Sequence, residues 1–390
     1  MIFAGDFAQQ PPVAGGENGS LYSRTVGRYS ADAKSQKAAL GKAIWHLFTV
    51  VVILRKNHRQ QGLTPRDRSL QRLLHNLRMR DCDDDDISYM MSLRIDLPSN
   101  GLAITDERFR NVSVITAYNI TKDAINDLGV RRFATETGQQ LTDFFADDKR
   151  PGGSKDKPVL FSRIVQEMLW SQAPTFSEYV PGKLSLCHGM PVMLRHNWAT
   201  ELAMNKGQEG VVYDWIAGVG RHGQRTLQTL FVLLINPPRT VHFGGLPENV
   251  VPCVARTVSI QCDLPKYSGA KELSVSRTQV EVLPNFAMTD YASQGKSRDY
   301  NVVDLKDCSD HHAYYVALSR GRTSEGTVIL RDFHPSRLQG GCSGALRQEF
   351  RDLEMLNDIT RMRYEGTLPE SVQGHRRKDL IQSFRRWKGP

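Results

Sequence analysis

The sequence has few cysteines, and they form no recognisable site. All six are widely scattered and none belongs to a C-x-x-C pair, which argues against a zinc ribbon and against a disulfide framework. The sequence also has no apolar run long enough to span a membrane, and no basic segment with a signal-peptide core follows Met1. We therefore expect a soluble protein of the nucleus or another intracellular compartment.

Cations outnumber anions in this chain. The 390 residues include 51 lysines and arginines against 42 aspartates and glutamates, a formal net charge of +9. Clustered cations favour a polyanionic partner, because neutralised phosphates release their condensed counterions. Many basic proteins bind no polyanion, so the charge alone leaves nucleic-acid binding open. With 40% hydrophobic residues, the chain is expected to fold, as two or three domains.

Strand and helix patterns alternate in the first half of the chain. The β-branched run TVVVIL, Thr49–Leu54, predicts a buried parallel strand. A second strand is predicted within NVSVITAYN, Asn111–Asn119, and a helix from about Thr121. The opening MIFAG predicts another strand, which ends at Gly5. This alternation favours an α/β layer architecture.

Two segments have the apolar spacing of amphipathic helices. The first places on one face Leu70, Leu73, Leu74 and Leu77. The second, near the C-terminus, places on one face Leu346, Phe350, Leu353, Leu356, Ile359 and Met362. Between the first helix and the second predicted strand lies the acidic run Asp81–Asp86, which favours a helix N-terminus over a metal site.

The pattern changes from about Pro181. Short segments of alternating apolar residues, such as EGVVYDWIAGV and TLQTLFVLLIN, are separated by turns rich in glycine and proline. This spacing is typical of a small antiparallel β unit. The α/β pattern returns with FAMTDYASQGKSRDYNVVDL. We therefore expect a β-rich insertion within an α/β frame.

Three residues at predicted element ends suit a phosphate site. Gln9 follows the opening strand, and a side-chain amide can both donate to a phosphate and accept from water. Arg59 follows the Thr49–Leu54 strand, and Arg320 follows YYVALS, a strand or a buried helix start. A guanidinium stays charged and makes bidentate contacts to phosphoryl oxygens. Taken singly, each of the three is more often a turn or surface residue.

The segment Thr289–Tyr300 has small and polar residues around a glycine. Its Gly295-Lys296-Ser297 is like the end of a phosphate-binding P-loop, but that motif requires a glycine five positions earlier, where this chain has Asp290. The pattern G-x-x-x-x-G-K-S/T does not occur elsewhere in the sequence either. We therefore reject a P-loop here and expect a loop that approaches a phosphate or a nucleic-acid strand.

Taken together, these segments resemble the motifs of the PIF/RecD-type DNA helicases, the 5′-to-3′ branch of helicase superfamily one. GDFAQQPPV resembles GDFxQLPPV, LRKNHRQ resembles the motif that ends in Arg-Gln, and VITAYN resembles the Thr-x-Asn-like strand end. HGMPVMLRHN with AMNKGQEGVV, then FAMTDYASQGKS, and finally YVALSR follow in the family's order. One difference is Ala292, where the family usually has lysine.

The resemblance implies a motor of two RecA-like domains with ATP in the cleft between them. It implies that Asp6 and Gln9 couple the γ-phosphate to DNA and that Arg59 and Arg320 reach that phosphate. Gln294 and Gly295 are implied to line the same cleft. The residues implied to bind single-stranded DNA are Asn119, Thr289, Ser293 and Lys296. A helicase of this family acts on single-stranded and forked DNA and serves DNA repair, recombination and telomere maintenance.

The implied fold is α/β: a P-loop NTPase (RecA-like) second helicase domain with an inserted antiparallel β-barrel-like unit and a C-terminal helical tail. We place a remnant of the first RecA-like domain at residues 1–40. The predicted bounds of the remainder are 41–180 and 285–333 for the second RecA-like domain, 181–284 for the β-rich insertion and 334–390 for the tail.

The family's P-loop lysine and the acidic residues that hold Mg²⁺ precede the GDF motif and are not in this sequence. Phosphoryl transfer depends on that lysine and metal. We therefore expect most of the first RecA-like domain to be missing, and this chain alone to bind DNA weakly and to hydrolyse little ATP. The alternative is a degenerate, non-catalytic nucleic-acid-binding remnant of such a helicase.

The C-terminal segment RRKDLIQSFRRWKG combines basic and aromatic residues. Such a combination can hold phosphates and stack bases, and it is equally typical of a solvated helix end. In composition the tail is similar to those of transposon-encoded fungal helicases.

Overall fold

The computed structural model describes residues 2–27, 32–97, 105–151, 159–264 and 271–389. The helices are α1 (Ala33–Trp45), α2 (Pro65–Arg78), α3 (Asp84–Met91), α4 (Asn119–Thr137), α5 (Arg163–Ser171), α6 (Asp290–Ser293), α7 (His311–Leu318), α8 (Gly344–Tyr364) and α9 (Arg377–Lys388). The strands are β1 (Val114–Thr116), β2 (Thr142–Phe145), β3 (Asp147–Lys149), β4 (Lys183–Leu186), β5 (Pro191–Leu194), β6 (Glu209–Val219), β7 (Arg225–Leu234), β8 (Val250–Val254), β9 (Arg256–Asp263), β10 (Glu272–Gln279), β11 (Val282–Pro284), β12 (Ala287–Thr289), β13 (Asn301–Val303) and β14 (Thr327–Ile329).

The chain divides into two compact units. Unit 1 comprises Met1–Leu102, Gly295–Asp299 and Cys308–Pro390, and unit 2 comprises Ala103–Gln294 and Tyr300–Asp307. The chain therefore passes between the units several times, and one of these passages lies between Gln294 and Gly295. The domain bounds predicted from the sequence remain predictions.

Unit 2 contains a parallel sheet in which β1 lies between β12 and β13. Ile115 of β1 is level with Met288 on one side and with Val303 on the other. All three residues of β1 are buried, as expected for a strand that is covered on both faces. The helix α4 follows β1 directly, so the predicted strand and helix between residues 111 and 137 are confirmed. A parallel sheet with a following helix is consistent with a RecA-like domain.

The segments predicted to form the β-rich insertion are strands. One antiparallel sheet has the order β11-β5-β6-β7-β8, another has the order β3-β10-β9, and β2 pairs with β4. The first of these sheets contributes most of a core that includes Leu194, Leu230 and Val232, each fully buried. Closure into a barrel stays a prediction.

A buried ion pair crosses the second of these sheets. Arg277 of β10 and Asp148 of β3 are both fully buried, with Nε and Nη2 of Arg277 donating to the two carboxylate oxygens at 2.8 and 2.9 Å. Gln166 of α5 donates to the same carboxylate at 2.9 Å. Nη1 of Arg277 donates to the carbonyl oxygen of Val180 at 2.8 Å. Both charges are therefore held by hydrogen bonds and have no access to water.

Unit 1 contains the two predicted amphipathic helices. The four leucines of α2 are buried, as their spacing predicts. In the acidic run, Asp83 caps α3 by accepting from the backbone N–H of Asp86, and the prediction of a helix N-terminus is confirmed. Among the described residues no group of His, Cys, Asp and Glu has a metal-binding arrangement. The C-terminal helix α8 buries Leu346, Leu356 and Ile359 from the predicted face.

The prediction of a strand at Thr49–Leu54 is wrong. The segment is extended but belongs to no sheet, because its backbone donates to side chains of α8: Val51 N–H to Thr360 Oγ1 at 3.0 Å and Ile53 N–H to Asn357 Oδ1 at 2.9 Å. Residues that alternate with these, Val50 and Val52, are more than half exposed. The opening residues 2–6 are not a strand either. The β-branched composition correctly predicted an extended backbone at Thr49–Leu54. It wrongly predicted that a neighbouring strand would be the hydrogen-bond partner.

The basic tail forms α9, part of which is buried. Arg377 pairs with Glu349 of α8 at 2.9 Å, with both side chains almost fully buried. Phe384 is buried in the cluster that α8 and α9 share. Trp387 and Arg386 are exposed. Among the described residues, no helix is both long and apolar enough to cross a membrane.

Candidate nucleotide and nucleic-acid site

Arg320 lies directly after α7, in a buried position of unit 1. Asp310 caps the start of α7 by accepting from the backbone N–H of Ala313 at 3.0 Å, and the helix ends at Leu318. The Arg320 side chain is 1% exposed. Its Nε donates to the Val316 carbonyl at 2.8 Å and its Nη2 to Ser319 Oγ at 2.6 Å. The sequence left open whether a strand or a helix delivers this arginine, and it is a helix.

Arg59, in the segment before α2, contacts the same turn. Its Nη1 donates to the Ser319 carbonyl at 2.9 Å and its Nε to Ser297 Oγ at 2.8 Å. Both acceptors are neutral. Within the described residues, neither Arg59 nor Arg320 has a carboxylate at ion-pair distance. Two guanidinium groups thus contact one turn, and neither is paired with a carboxylate in the described part of the chain; the carboxylate whose negative charge acts on Arg320 is that of Asp6.

The electrostatics of this pair favour an anionic ligand. Burial, and secondly the positive charge of Arg59, lowers the pKa of Arg320 to about 10. Burial also lowers the pKa of Arg59. Both shifts mean that the charged forms have lost solvation that the protein does not fully replace. A phosphate would supply the missing charge and accept bidentate hydrogen bonds.

The loop with Asp6 and Gln9 also belongs to unit 1. Asp6 accepts from Arg78 at 2.7 Å and from the backbone N–H of Ala8 at 3.0 Å. Nδ1 of His312, on α7, lies 3.0 Å from the Ala8 carbonyl oxygen and links the loop to the helix that leads to Arg320. The Gln9 side-chain amide has no hydrogen-bond partner in the described part of the chain. It is therefore free to bind a ligand.

The predicted DNA-binding residues of unit 2 have local partners. Thr289 caps α6 by accepting from the backbone N–H of Ala292 at 3.3 Å. The buried Ser293 hydroxyl donates to the Asp290 carbonyl at 2.7 Å. Asn119 accepts from Lys122 Nζ at 3.3 Å. The hydroxyls thus shape the α6 turn. Thr289 is partly exposed and keeps hydrogen-bonding capacity for a ligand, whereas Ser293 is fully buried.

The predicted site residues are therefore divided between the units. In unit 1 are Asp6, Gln9, Arg59, Gly295, Lys296 and Arg320, and in unit 2 are Asn119, Thr289, Ser293 and Gln294. In unit 1, Nη1 of Arg320 donates to the Lys296 carbonyl at 3.4 Å. Gly295 has a φ of +80°, which favours glycine at the point where the chain passes from unit 2 to unit 1. The nucleotide and DNA roles of all ten stay predictions.

Comparison with solved structures gives the fold. No protein-family model matches the chain, and no curated protein matches it. The structure of Pif1 helicase from Candida albicans matches over 90% of this chain and 67% of its own, with 18% identity and a TM-score of 0.55. Bacteroides Pif1 bound to ssDNA matches over 93% and 67%, with 18% identity and a TM-score of 0.54.

The chain has the fold of the Pif1 helicases. It spans 55% to 67% of the length of the Pif1 structures it matches.

On this Pif1 fold, sequence reasoning missed residues that hold the arginines. Nε2 of Gln60, which is buried, donates to the carbonyls of Ser319 at 3.1 Å and Gly321 at 2.6 Å, on either side of Arg320. Asn57 donates to Gln60 Oε1 at 2.8 Å and accepts from the backbone N–H of Arg59. The Arg-Gln pair in LRKNHRQ could have indicated Gln60, since adjacent residues of one loop can contact the same turn, as Arg59 and Gln60 both do at the Ser319 carbonyl.

Tyr315 is a second missed residue. Burial raises the pKa of its phenol and the charge of Asp6 raises it further, whereas the positive charges of Arg78, Arg320 and Arg59 lower it. The phenol thus interacts electrostatically both with Asp6 and with the arginine pair. The sequence could not single out Tyr315, because its neighbour Tyr314 lies in the same apolar segment. In the structure, the Tyr314 hydroxyl accepts from the backbone N–H of His334 instead.

Proposed function

We propose that this chain provides the arginine side of an ATP site and a single-stranded-DNA surface of a Pif1-type helicase. Such an enzyme unwinds duplex DNA, including forks, by translocating on one strand while hydrolysing ATP between two RecA-like domains. The observation that carries the proposal is the Arg59–Arg320 pair, in which Arg320 is buried, Arg59 is partly buried and neither is paired with a carboxylate among the described residues, in a chain with the Pif1 fold. The Bacteroides Pif1 structure, bound to ssDNA, supports the choice of DNA.

The chemistry of the arginines explains why they would matter for turnover. Charge accumulates on the oxygens of the transferred phosphoryl group in the transition state, and a preorganised guanidinium stabilises it without reorganisation. Arg320 is held by Val316 and Ser319, so its fork is fixed before any nucleotide arrives. The free amide of Gln9 is suited to orient an attacking water.

Part of the catalytic set must be supplied from elsewhere. The sequence has no P-loop pattern, and the described residues offer no group that fits Mg²⁺. Arginine contacts do not replace a P-loop lysine and a metal in neutralising the β- and γ-phosphates. We therefore propose that hydrolysis requires a RecA-like domain that carries both, and we derive no step through Mg²⁺ in this chain.

The second candidate function is a non-catalytic nucleic-acid-binding remnant. A pure DNA binder needs no P-loop, and this sequence contains no P-loop pattern. The arginine pair speaks against it, because two neighbouring guanidinium groups, one of them buried and neither paired with a carboxylate among the described residues, destabilise a fold that has no anion to bind. A nuclear location and roles in repair, recombination or telomere maintenance follow only if the helicase proposal holds.

Nucleotide binding tests the proposal directly. We expect the chain to bind a fluorescent ATP analogue weakly and Arg320→Ala to weaken binding by about tenfold, since one charge-assisted contact is lost. The control is Arg361→Ala in the same unit, whose side chain is 59% exposed and pairs with Glu365 at 3.6 Å. Equal affinity of the two variants would contradict a role for Arg320.

Turnover tests the requirement for a P-loop. DNA-stimulated phosphate release should be negligible with this chain alone. It should appear when a Pif1 P-loop domain is joined to the chain, and Arg59→Ala or Arg320→Ala should then reduce it by about 10³-fold or more. Robust turnover by the chain alone refutes the requirement, and no turnover after joining favours the remnant.

A further inference from the structure

Unit 2 contains an aromatic ring with two cations against it. Lys122 Nζ lies 4.6 Å and the Arg195 guanidinium carbon 5.0 Å from the centroid of the Tyr179 ring. Both distances are within the range of cation–π attraction. The three residues come from α4, from the turn before β4 and from the end of β5. The tertiary fold of unit 2 therefore brings this cluster together.

The backbone that presents Tyr179 is strained. Glu178 and Tyr179 have consecutive positive φ values of 50° and 65°, a conformation that non-glycine residues rarely adopt. The turn is held by Tyr179 N–H, which donates to the Pro174 carbonyl at 2.8 Å, and by Gln261 N–H, which donates to Glu178 Oε1 at 2.7 Å. Strain of this kind persists where the surrounding structure enforces it, and it is concentrated at functional sites.

The two cations differ in how their charges are satisfied. Lys122 has an ion-pair partner, Asp123, at 2.9 Å, and it also donates to Asn119. Arg195 has no carboxylate partner and its guanidinium donates no hydrogen bond within the described residues. Its Nε is buried without any acceptor. Burial also lowers the pKa of the Arg195 guanidinium.

The neighbouring carboxylates of Asp123 and Glu281 favour the charge of Arg195, but neither forms an ion pair with it. Glu281 accepts the backbone N–H of Arg195 through its carbonyl, but its carboxylate pairs with Arg256 at 2.9 Å. Asp123 pairs with Lys122 and Glu281 pairs with Arg256. The charge of Arg195 is therefore left without an ion-pair partner. A guanidinium used only for packing would be expected to have its buried Nε satisfied.

We propose that Arg195, positioned by Tyr179, binds a backbone phosphate of single-stranded DNA. A phosphodiester provides acceptors for the two Nη groups, which, unlike Nε, are not among the buried atoms, and it provides the negative charge that the cluster lacks; the two Nη groups fit it bidentately. Asn119, which the motif resemblance assigns to DNA, is joined to the cluster through Lys122. The inference rests on the proposed function for its choice of ligand.

The salt dependence of DNA binding tests the assignment. Anisotropy of a labelled oligothymidylate should show about tenfold weaker binding for Arg195→Ala than for the unchanged chain. The slope of log affinity against log salt should fall by about 0.7, the value for one lost single-strand phosphate contact. The control is Arg163→Ala in the same unit, where the side chain is 87% exposed and pairs with Glu167. It should leave both quantities unchanged.

Substitutions of Tyr179 separate positioning from mere packing. Tyr179→Phe keeps the ring that attracts the guanidinium and should keep affinity and slope. Tyr179→Leu keeps apolar bulk but removes the π-face, and it should weaken DNA binding several-fold with folding intact by circular dichroism. Equal affinities of the Phe and Leu variants would remove Tyr179 from the proposal.

A measurement on the unchanged chain covers the case in which Arg195→Ala does not fold. Phenylglyoxal modification, read by peptide mass spectrometry, should be slowed at Arg195 by oligothymidylate but not by ATP or inorganic phosphate. Protection by phosphate or ATP alone overturns the assignment to DNA. If the chain binds DNA and Arg195 is neither protected nor sensitive to substitution, this inference fails and the proposed function stands. If the unchanged chain binds no DNA, the proposed function itself fails.

Discussion

The buried pair of Arg277 and Asp148 should be among the most sensitive positions for folding of unit 2. Asp148→Ala removes three hydrogen bonds to the carboxylate, two from Arg277 and one from Gln166. It leaves a fully buried guanidinium with the carbonyls of Val180 and Leu169, at 2.8 and 3.3 Å, as its remaining acceptors. Removing one partner of a buried pair costs about 3–5 kcal/mol, because the remaining charge stays desolvated.

Further variants divide the expected loss of unfolding free energy between charge and hydrogen bonds. Asp148→Asn keeps the shape and one acceptor oxygen but loses the negative charge. We therefore expect it to recover only a minor part of the free energy of unfolding that Asp148→Ala loses. The double variant Asp148→Leu with Arg277→Met removes both charges and should cost clearly less than the sum of the single variants. The orphaned amide of Gln166 sets a residual cost of about 1–3 kcal/mol.

Urea unfolding measures these differences. Trp170 reports on the same region, because its Nε1 donates to the Ala146 carbonyl at 2.9 Å. The control is Glu167→Ala, which breaks an exposed helical pair with Arg163 and should cost about 0.3–0.5 kcal/mol. A loss below about 1 kcal/mol for Asp148→Ala would refute the reasoning, since it would mean that water reaches the guanidinium.

Three further outcomes follow from unit-specific packing. Burial and the charge of His312 lower the pKa of His311 from 6.5 to about 4, so between these values only the unfolded chain binds the proton. Stability should therefore fall by up to about 3 kcal/mol as pH drops through that window, and His311→Gln should flatten the pH dependence of the urea midpoint. Gly129→Ala should destabilise unit 2 by about 1–3 kcal/mol, because its Cβ would lie 2.4 Å from the Phe286 ring. Gly41→Ala in α1, where nothing lies within 4 Å, should raise the thermal midpoint, with a gain of about 0.5–1 kcal/mol.

Local sequence signals predicted elements well where burial and hydrogen bonding are decided locally. The leucines of α2 and the capping aspartate of α3 are examples, because apolar spacing and an N-cap act within one or two turns. Thr49–Leu54 failed because an extended segment needs a partner from elsewhere in the chain. That partner was a pair of polar side chains on α8, and no pattern within the segment specifies it.

By itself, the sequence determined the α/β class, the β-rich stretch after Pro181 and the ordered motifs that led to Arg59 and Arg320. These depend on periodicity and on short stretches of residues, which are local properties. Only the tertiary structure decided that the two arginines meet at the Ser319 turn without a carboxylate, and that Arg195 lies against Tyr179 with its Nε unsatisfied. Counter-charge and desolvation depend on residues far apart in the chain, so these properties exist only once the fold has formed.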